Sequence, residues 1–329
     1  MRAVIVRRFG GPEVLEIVDL PEPEPGVGQL RVRVVAAAVN RIDLSTRSGA
    51  LSAAGLLPPL PVVGLGWDVA GEVDAVGPGV RRFAVGDQVI GLRDLLSAPG
   101  AQAEWVVLDE GAVALAPRTV APELAATLPL IGLTAARSLA LTGLDAGRTL
   151  LVTGGAGGVG GLLLELAALR GIRTVAVADA RDEELVRSLG ANWFVARTDR
   201  VGAAVRAVVP GGVDAVVDAA VIGVAAHEAL RGGAVFVALV APFAPPRCAP
   251  PGSSCRRSMP TARSWLSCRR WSTAASSACG WPDGCRWPRW RRHMSGWPAG
   301  VCGGAWCWSP EACRRVDQTH VLTDADWSG

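Results

Sequence analysis

The fold predicted for this chain depends on the stretch L-L-V-T-G-G-A-G-G-V-G-G at 150–161. An apolar run at its start predicts a buried strand, and an apolar pattern with helical spacing follows its end. The turn between them contains G-x-G-x-x-G as Gly155, Gly157 and Gly160. In the order strand, glycine turn, helix, this pattern predicts dinucleotide binding. The backbone can then approach a pyrophosphate closely, and the helix N-terminus offers it free N–H groups.

Candidate cofactor-binding residues fill this turn and continue after the next strand. A second apolar run at 174–178 follows at the spacing of a β-α-β unit and ends in Asp179, where an acidic residue would bind the adenosine ribose. Arg181 could instead hold the 2′-phosphate of NADPH, so NADH and NADPH both stay open. The alternative interpretation is a glycine-rich loop in a chain with 40 glycines. The candidate residues in the turn are Gly154, Gly155, Ala156, Gly157, Gly158, Val159 and Gly160.

Length and composition predict a soluble protein of two domains. The chain has 329 residues and a net charge of +3, so the total charge gives no reason to expect a nucleic-acid partner. Arg7 and Arg8 stand where a secretory signal would need its apolar core. The apolar stretch at 150–164 is broken by glycines and is too short to span a membrane. We therefore expect a cytoplasmic protein without a membrane or nucleic-acid partner.

The local patterns change near residue 121, and the composition changes again near residue 247. Residues 1–121 read as short strands separated by turn residues, such as the hairpin-like pair at 3–6 and 15–18, and they predict a small barrel or sandwich. Residues 122–246 alternate between helical and strand patterns and predict a doubly wound parallel sheet. We therefore predict an α/β protein with a barrel domain at 1–121, a nucleotide-binding domain at 122–246 and an irregular tail at 247–329.

With these residues in view, the chain resembles the medium-chain dehydrogenase/reductase superfamily. Within it, the chain is most similar to the zinc-independent quinone oxidoreductase (zeta-crystallin-like) branch. The matching stretches occur in family order and cover residues 1–245. Besides the glycine turn, they are R-F-G-G-P-E-V-L-E at 8–16, A-A-A-V-N-R-I-D at 36–43, A-V-G-P-G-V at 75–80, F-A-V-G-D-Q-V at 83–89, A-E-W-V-V at 103–107, L-P-L-I-G-L-T-A at 128–135 and R-S-L-G-A at 187–191.

The resemblance implies a GroES-like barrel joined to a Rossmann domain, with hydride transfer from NAD(P)H in the cleft between them. It also implies a homodimer, whose interface uses family strands that the tail of this chain would lack. By resemblance, Asn40 and Thr134 lie beside the nicotinamide and its ribose, with Asp43 close by. The plain alternatives are a turn residue for Asn40, a helix position for Thr134 and a residue at a helix N-terminus for Asp43.

The resemblance further predicts a site without zinc or flavin. Zinc-dependent relatives carry Cys near position 40 and Gly-His-Glu near 66, where this chain has Asn40 and Gly66-Trp67-Asp68. No Cys or His precedes His227, so the barrel lacks the usual zinc ligands. The expected substrates are quinones or conjugated enones, which accept hydride without a strong Lewis acid. The alternatives are an enoyl reductase of a biosynthetic pathway and an inactive product that lacks the C-terminal part of the family.

The composition of the tail differs from that of the rest of the chain. Residues 248–329 contain all 8 cysteines and no Ile, and nine of the 12 tryptophans follow residue 250. We hypothesise that the tail is the same DNA read in a shifted frame. The codon of Trp is TGG. A codon that begins one base earlier takes the preceding base as its first base. If that base is C or G, the shifted codon is CTG or GTG, which encodes Leu or Val. Metal binding by the cysteines and nucleic-acid binding by the Arg and Trp residues are the alternatives.

A shifted reading of residues 284–310 supports this hypothesis. With G or C in every third codon position, a self-consistent choice of codons gives R-L-P-L-A-E-V-A-E-A-H-E-R-L-A-G-G-G-L-R-G-R-V-V-L-V-P, which resembles the C-terminal helix and final strand of the same family. Six residues leave almost no freedom of codon choice, and all of them fall where the family has Leu, Val or His. They are Trp287, Trp290, Met294, Trp297, Trp306 and Trp308.

Overall fold

The computed structural model describes residues 1–58, 60–93 and 99–240, together with the strand backbones at 254–257, 301–302 and 305–308. The chain forms two compact units. The first contains Met1–Leu130 and Ala262–Gly329, and the second contains Ile131–Thr261. The predicted barrel domain lies wholly in the first unit, and the predicted nucleotide-binding domain lies in the second except for 122–130. The predicted boundaries at 121 and 246 stay predictions.

The first unit is rich in antiparallel strands, as the short alternating runs predict. Its strands are β1 (Arg2–Val6), β2 (Glu16–Asp19), β3 (Gln29–Val39), β4 (Val63–Gly64), β5 (Asp68–Val76), β6 (Gln88–Leu92), β7 (Trp105–Asp109) and β8 (Val113–Leu115). Its helices are α1 (Arg41–Arg47), α2 (Ala50–Ala53) and α3 (Pro122–Ala125), and α4 (Leu128–Thr142) begins in this unit and continues into the second.

Strand pairing in the first unit follows the apolar faces of the strands. The β1–β2 hairpin is confirmed, with Arg2 opposite Asp19 and Ile5 opposite Glu16. Strand β3 pairs with both β5 and β7, and its inward residues Leu30 and Val32 are fully buried. Alternation of buried and exposed residues along β3 is what a strand with one core-facing side requires.

The second unit is a doubly wound parallel sheet, which confirms the predicted fold class. Its strands are β9 (Thr149–Thr153), β10 (Arg173–Ala178), β11 (Trp193–Ala196), β12 (Val213–Asp218), β13 (Leu230–Ala238) and β14 (Ser254–Arg257). Its helices are α5 (Gly158–Leu169), α6 (Glu183–Ser188), α7 (Val201–Val208) and α8 (Val224–His227). The strand order β11-β10-β9-β12-β13-β14 reverses at β9, and all the pairings are parallel. Helices that cover both faces explain why β9 is buried along its whole length.

The described part of the tail consists of three short strands. Strand β14 extends the parallel sheet beside β13. Strands β15 (Val301–Cys302) and β16 (Ala305–Trp308) form an antiparallel pair, and β16 continues it onto β3 of the first unit. The rest of the predicted irregular tail lies outside the described residues.

In the part of the chain that the structure describes, one stretch of helix is long and apolar enough to cross a membrane. Residues Pro122–Thr142 have a mean hydropathy of 1.5 over their most apolar window, of which 44% is buried inside the protein. Buried core helices of soluble proteins have the same length and composition, so the absence of a membrane partner stays a prediction.

Candidate cofactor site and active-site residues

The glycine turn joins β9 to α5 at the carboxyl edge of the parallel sheet. Gly154 has a φ of +65°, which glycine adopts without strain, and Gly155 donates its N–H to the carbonyl of Val177 at 3.0 Å. Gly157 is the N-cap residue of α5 and supplies no side-chain cap. Gly158 therefore begins a helix whose first amides have no acceptor within the helix.

Each glycine of the motif has a separate steric role. Gly160 is buried, and a Cβ there would overlap the carbonyl oxygen of Gly154, so this glycine permits the contact between turn and helix. Gly157 is exposed, and a Cβ there would approach only the oxygen of Gly154, at 3.3 Å. The open side of the turn is thus at Gly157, where the free amides of α5 begin. Partly buried Ala156 and Val159 complete the turn and the first helical residues. This cradle fits a pyrophosphate.

Asp179 lies at the same edge of the sheet as the glycine turn. Strands β9 and β10 are parallel neighbours, with Thr153 opposite Val177, so Asp179 follows two residues beyond that pair. One oxygen of Asp179 accepts the backbone N–H of Arg181 at 3.2 Å, and the Arg181 guanidinium lies 3.8 Å away. These two predicted residues are therefore brought together, and their binding of the adenosine ribose stays a prediction.

Sequence reasoning missed Arg197, which also contacts Asp179. Its Nη2 lies 3.2 Å from Oδ2 of Asp179, and both side chains are partly exposed to solvent. Arg197 reaches Asp179 because of the register of β11, whose last residue Ala196 lies opposite Ala178 of β10. Asp179 and Arg197 are the residues that follow this pair. The sequence analysis left β11 unassigned. Had this strand been recognised as a parallel neighbour of β10, the contact of Arg197 with Asp179 could have been predicted.

The predicted residues Asn40 and Asp43 meet in the first unit around the start of α1. Asn40 is the N-cap residue of α1, and its backbone N–H donates to Oδ2 of Asp43 at 2.7 Å. The other oxygen of Asp43 accepts the N–H of Gly66 at 3.0 Å. Asp43 thus has the helix N-terminal role that the sequence analysis gave as its alternative, and its place beside the nicotinamide stays a prediction.

The side chain of Asn40 is bonded to a residue that the sequence analysis did not assign to the site. Its Nδ2 donates to Oδ2 of Asp68 at 2.8 Å, and Oδ1 of Asp68 accepts the N–H of Leu130 at 2.7 Å. In its ionised form Asp68 can only accept hydrogen bonds, and in that form it fixes which end of the Asn40 amide faces it. Thr134 is partly exposed on α4 in the second unit, and its position beside the cofactor stays a prediction.

Burial perturbs both carboxyl groups of this cluster. Loss of solvent raises the pKa of Asp43 to about 7, and the N–H groups of Asn40 and Gly66 oppose the rise. Burial also raises the pKa of Asp68 well above its usual range, against the hydrogen bonds from Asn40 and Leu130, and the charge of Asp43 adds to the rise. Two buried carboxyl groups close to each other therefore hold protons at a higher pH than they would in water.

We expect the free energy of unfolding to fall as the pH rises from 4 to 7. Asp43 binds its proton more tightly in the folded state, with a pKa of about 7 against 3.8, so its stabilising contribution is complete below pH 4 and is lost through pH 7. The loss is on the order of a few kcal/mol. Urea denaturation at a series of pH values measures it. Asp43→Asn should reduce the slope of the free energy of unfolding against pH, whereas Asp74→Asn, on β5 outside the cluster, should leave that slope unchanged. Equal slopes in the two variants would contradict the assignment of the pH dependence to Asp43.

Comparison with known proteins identifies the family. Residues 26–118 match the Alcohol dehydrogenase GroES-like domain. The NAD-dependent alcohol dehydrogenase of Sulfolobus acidocaldarius is 31% identical over 247 residues, which cover 66% of this chain and 70% of that one. A solved mycobacterial quinone oxidoreductase is 32% identical, with a TM-score of 0.67 over 83% of this chain and 86% of that chain. The chain belongs to the medium-chain dehydrogenase/reductase superfamily, in its quinone oxidoreductase branch.

This membership confirms the predicted resemblance, including the GroES-like barrel domain and the nucleotide-binding sheet of the superfamily. The NADPH-dependent alkenal/one oxidoreductase of Arabidopsis thaliana chloroplasts is 35% identical over 203 residues, or 59% of this chain. The chain spans about half the length of that relative, since the match covers 52% of it. The catalytic activity of this superfamily member is therefore a matter for proposal.

Proposed function

We propose that this chain is an NAD(P)H-dependent oxidoreductase that passes hydride directly to a quinone or a conjugated enone, without zinc or flavin. The observation that carries the proposal is the uncapped N-terminus of α5. It opens beside Gly157 at the same sheet edge as Asp179. An anion-binding helix end and a ribose-binding carboxylate at one edge fit a dinucleotide better than a mononucleotide.

The residues of the site hold and orient the cofactor. The amides at the start of α5 bind the pyrophosphate, and Gly157 leaves room for it to approach. Asp179 and its neighbouring arginines bind the adenosine ribose. The nicotinamide, when bound, supplies the hydride. Asn40, Asp43 and Thr134 remain the proposed residues on the reacting side.

The donor set does not fit a catalytic zinc. Where zinc-dependent relatives carry Cys and Gly-His-Glu, this chain has Asn40 and Gly66-Trp67-Asp68, and the side chains of Asn40 and Asp68 are hydrogen-bonded to each other. The remaining oxygen of Asp68 accepts the N–H of Leu130. An amide and a carboxyl group engaged in this way lack the Cys and His chemistry that zinc prefers. The proposed reaction therefore has no step through a metal.

The names of the relatives support the acceptor class. One relative reduces alkenals and alkenones by name, and another is named a quinone oxidoreductase. Both kinds of acceptor have a carbonyl conjugated to a carbon–carbon double bond, which takes hydride without strong polarisation. A homodimer and a cytoplasmic location stay predictions from the sequence.

Turnover by the purified chain tests the proposal. We expect oxidation of NADPH to depend on a quinone or an enone, to continue in the presence of a metal chelator, and to need no added flavin. The measurement is the loss of NADPH absorbance with a panel of both acceptor classes. If the chelator abolished turnover, the proposal that the reaction needs no metal would be overturned. Cofactor binding without turnover on any acceptor would favour the inactive product.

The cofactor preference should depend on the balance of charge at Asp179. Arg181 and Arg197 flank one carboxylate, so we propose that the 2′-phosphate of NADPH is favoured over the ribose hydroxyl of NADH. Arg197→Ala should weaken NADPH binding about tenfold and leave NADH binding nearly unchanged. Asp179→Ser should shift the preference further toward NADPH, because it removes a negative charge beside the phosphate.

Fluorescence titration with each cofactor measures these changes. Arg187→Ala is the matched control, because Arg187 is an exposed arginine of the same unit that pairs with Glu183. The control should bind both cofactors as the wild type does. Equal loss of NADH and NADPH affinity in the Arg197 variant would contradict the assignment of this side chain to the 2′-phosphate.

A further inference from the structure

The loop that follows β12 is hydrogen-bonded to the end of β9, next to the glycine turn. Thr153, the last residue of β9, accepts the N–H of Ala220 through its hydroxyl oxygen at 2.9 Å. The same hydroxyl donates to Oδ1 of Asp218 at 2.6 Å. Gly154 faces this loop so closely that a Cβ there would lie 3.3 Å from the Cβ of Ala220. The hydroxyl of Thr153 thus links the last residue of β9 to the end of β12 and the loop that follows it.

Asp218 holds the other end of the same loop. Its Oδ1 also accepts the N–H of Ile222 at 3.1 Å, and its Oδ2 accepts the N–H of Gly223 at 2.8 Å. The side chain is buried, with 2% of its surface exposed. Hydrogen bonds to a carboxylate are stronger than neutral ones, and a buried carboxylate needs them. The buried side chains of Thr153 and Asp218 therefore hold three backbone N–H groups of this loop, those of Ala220, Ile222 and Gly223.

The backbone of this loop is strained at one residue. Val221 has a φ of +60°, and among the described residues no other non-glycine residue has a positive φ. A β-branched residue strongly disfavours this conformation. Strain of this kind persists only where the surroundings enforce it, and it concentrates at ligand-binding sites.

The position of the loop indicates which part of a dinucleotide it meets. The strand order reverses at β9, with β10 on one side and β12 on the other. Asp179 after β10 is the proposed partner of the adenosine ribose. The sheet edge after β12 would therefore meet the other half of the dinucleotide, which carries the nicotinamide. We infer that Thr153 and Asp218 are positioning residues that hold the 219–223 loop for the nicotinamide half of the cofactor. This inference rests on the cofactor of the proposed function.

Two substitutions at Thr153 separate positioning from general damage. Thr153→Val keeps the shape of the side chain but removes the hydroxyl, whereas Thr153→Ser keeps the hydroxyl. We expect Thr153→Val to weaken NADPH binding about tenfold and to leave binding of adenosine 2′,5′-bisphosphate, the adenosine half alone, within about twofold of wild type. Thr153→Ser should bind both ligands as the wild type does. Calorimetric titration of the full chain with each ligand measures these constants.

A substitution at Val221 gives a test that does not depend on a buried polar group. Val221→Gly removes the steric cost of the positive φ, so it should raise the melting temperature while weakening NADPH binding several-fold, because the loop is freer. The inference would be overturned if Thr153→Val lost affinity equally for NADPH and for adenosine 2′,5′-bisphosphate. It would also be overturned if Thr153→Val and Val221→Gly both bound NADPH with wild-type affinity.

Two results for the wild-type protein separate this inference from the proposed function. Binding of NADPH without turnover would refute the proposed reaction alone, and failure to bind NADPH would refute both.

Discussion

A chain with Gly160→Ala is expected to bind neither NADPH nor NADH and to lose about 3 kcal/mol of its free energy of unfolding. The new Cβ would overlap the carbonyl oxygen of Gly154 and would lie 2.7 Å from its carbonyl carbon and 3.0 Å from the Cα of Gly155. All of these atoms belong to the backbone and cannot rotate away. Either α5 moves off the strand or the turn opens, and both changes disperse the amides that we propose bind the pyrophosphate. Fluorescence titration and urea denaturation measure the two effects.

Gly157→Ala is the matched control, because it should separate binding from folding. The φ of Gly157 is −79°, which alanine adopts readily, and the added Cβ would meet only the oxygen of Gly154 at 3.3 Å. We expect nearly wild-type stability with cofactor affinity reduced at least about tenfold, because the methyl group stands where the pyrophosphate approaches. Wild-type affinity in the Gly160 variant, or equal loss of stability in both variants, would contradict these steric roles.

The source gene is expected to contain one more base than this sequence implies, near the codons for residues 244–248. Codons that begin one base earlier turn the tryptophans of the tail into Leu and Val, the aliphatic residues of which residues 248–329 have few. At 305–308, where β16 lies beside β3, the shifted reading is R-V-V-L, whose valines favour a strand. DNA sequencing and the intact mass of the expressed protein measure the reading frame.

Protein from the corrected gene should also be more stable than the present chain. The gain follows from an aliphatic tail that can pack against the sheets, and we expect a melting temperature higher by about 4 °C, or roughly 3 kcal/mol for a protein of this size. The present chain is the control in the same buffer. An uninterrupted frame in the gene, together with a protein mass that matches the present sequence, would rule the hypothesis out.

The sequence predicted best those features that adjacent residues determine. The order strand, glycine turn, helix was correct because Gly154 to Gly160 specify it locally, and Asp179 followed from the spacing to the next strand. Helices α1 and α7 and strand β11 were left unassigned. Each has no more than eight residues, and runs of that length show too little periodicity to separate a helix from a loop.

The unpredicted part of the site depends on contacts between distant residues. Thr153 and Asp218 are 65 positions apart, and Asn40 and Asp68 are 28 positions apart. Neither pair carries a local pattern, because each side chain alone reads as a polar residue at the end of a strand or helix. Only the register of neighbouring strands brings Arg197 to Asp179. The pairing of the sheet therefore supplies the information that a single sequence does not display.

The bond between Asn40 and Asp68 limits the evolutionary routes by which this lineage could regain a metal. A single mutation of Asn40 to cysteine would supply one thiolate and would also take away a donor from a buried carboxyl group. That mutant would leave Oδ2 of the buried Asp68 without its donor before any metal could compensate, since one thiolate does not hold zinc. Selection would have to cross this destabilised intermediate. The hydrogen bond thus makes the stepwise gain of a zinc site costly, which would keep descendants of this protein on the proposed metal-free chemistry.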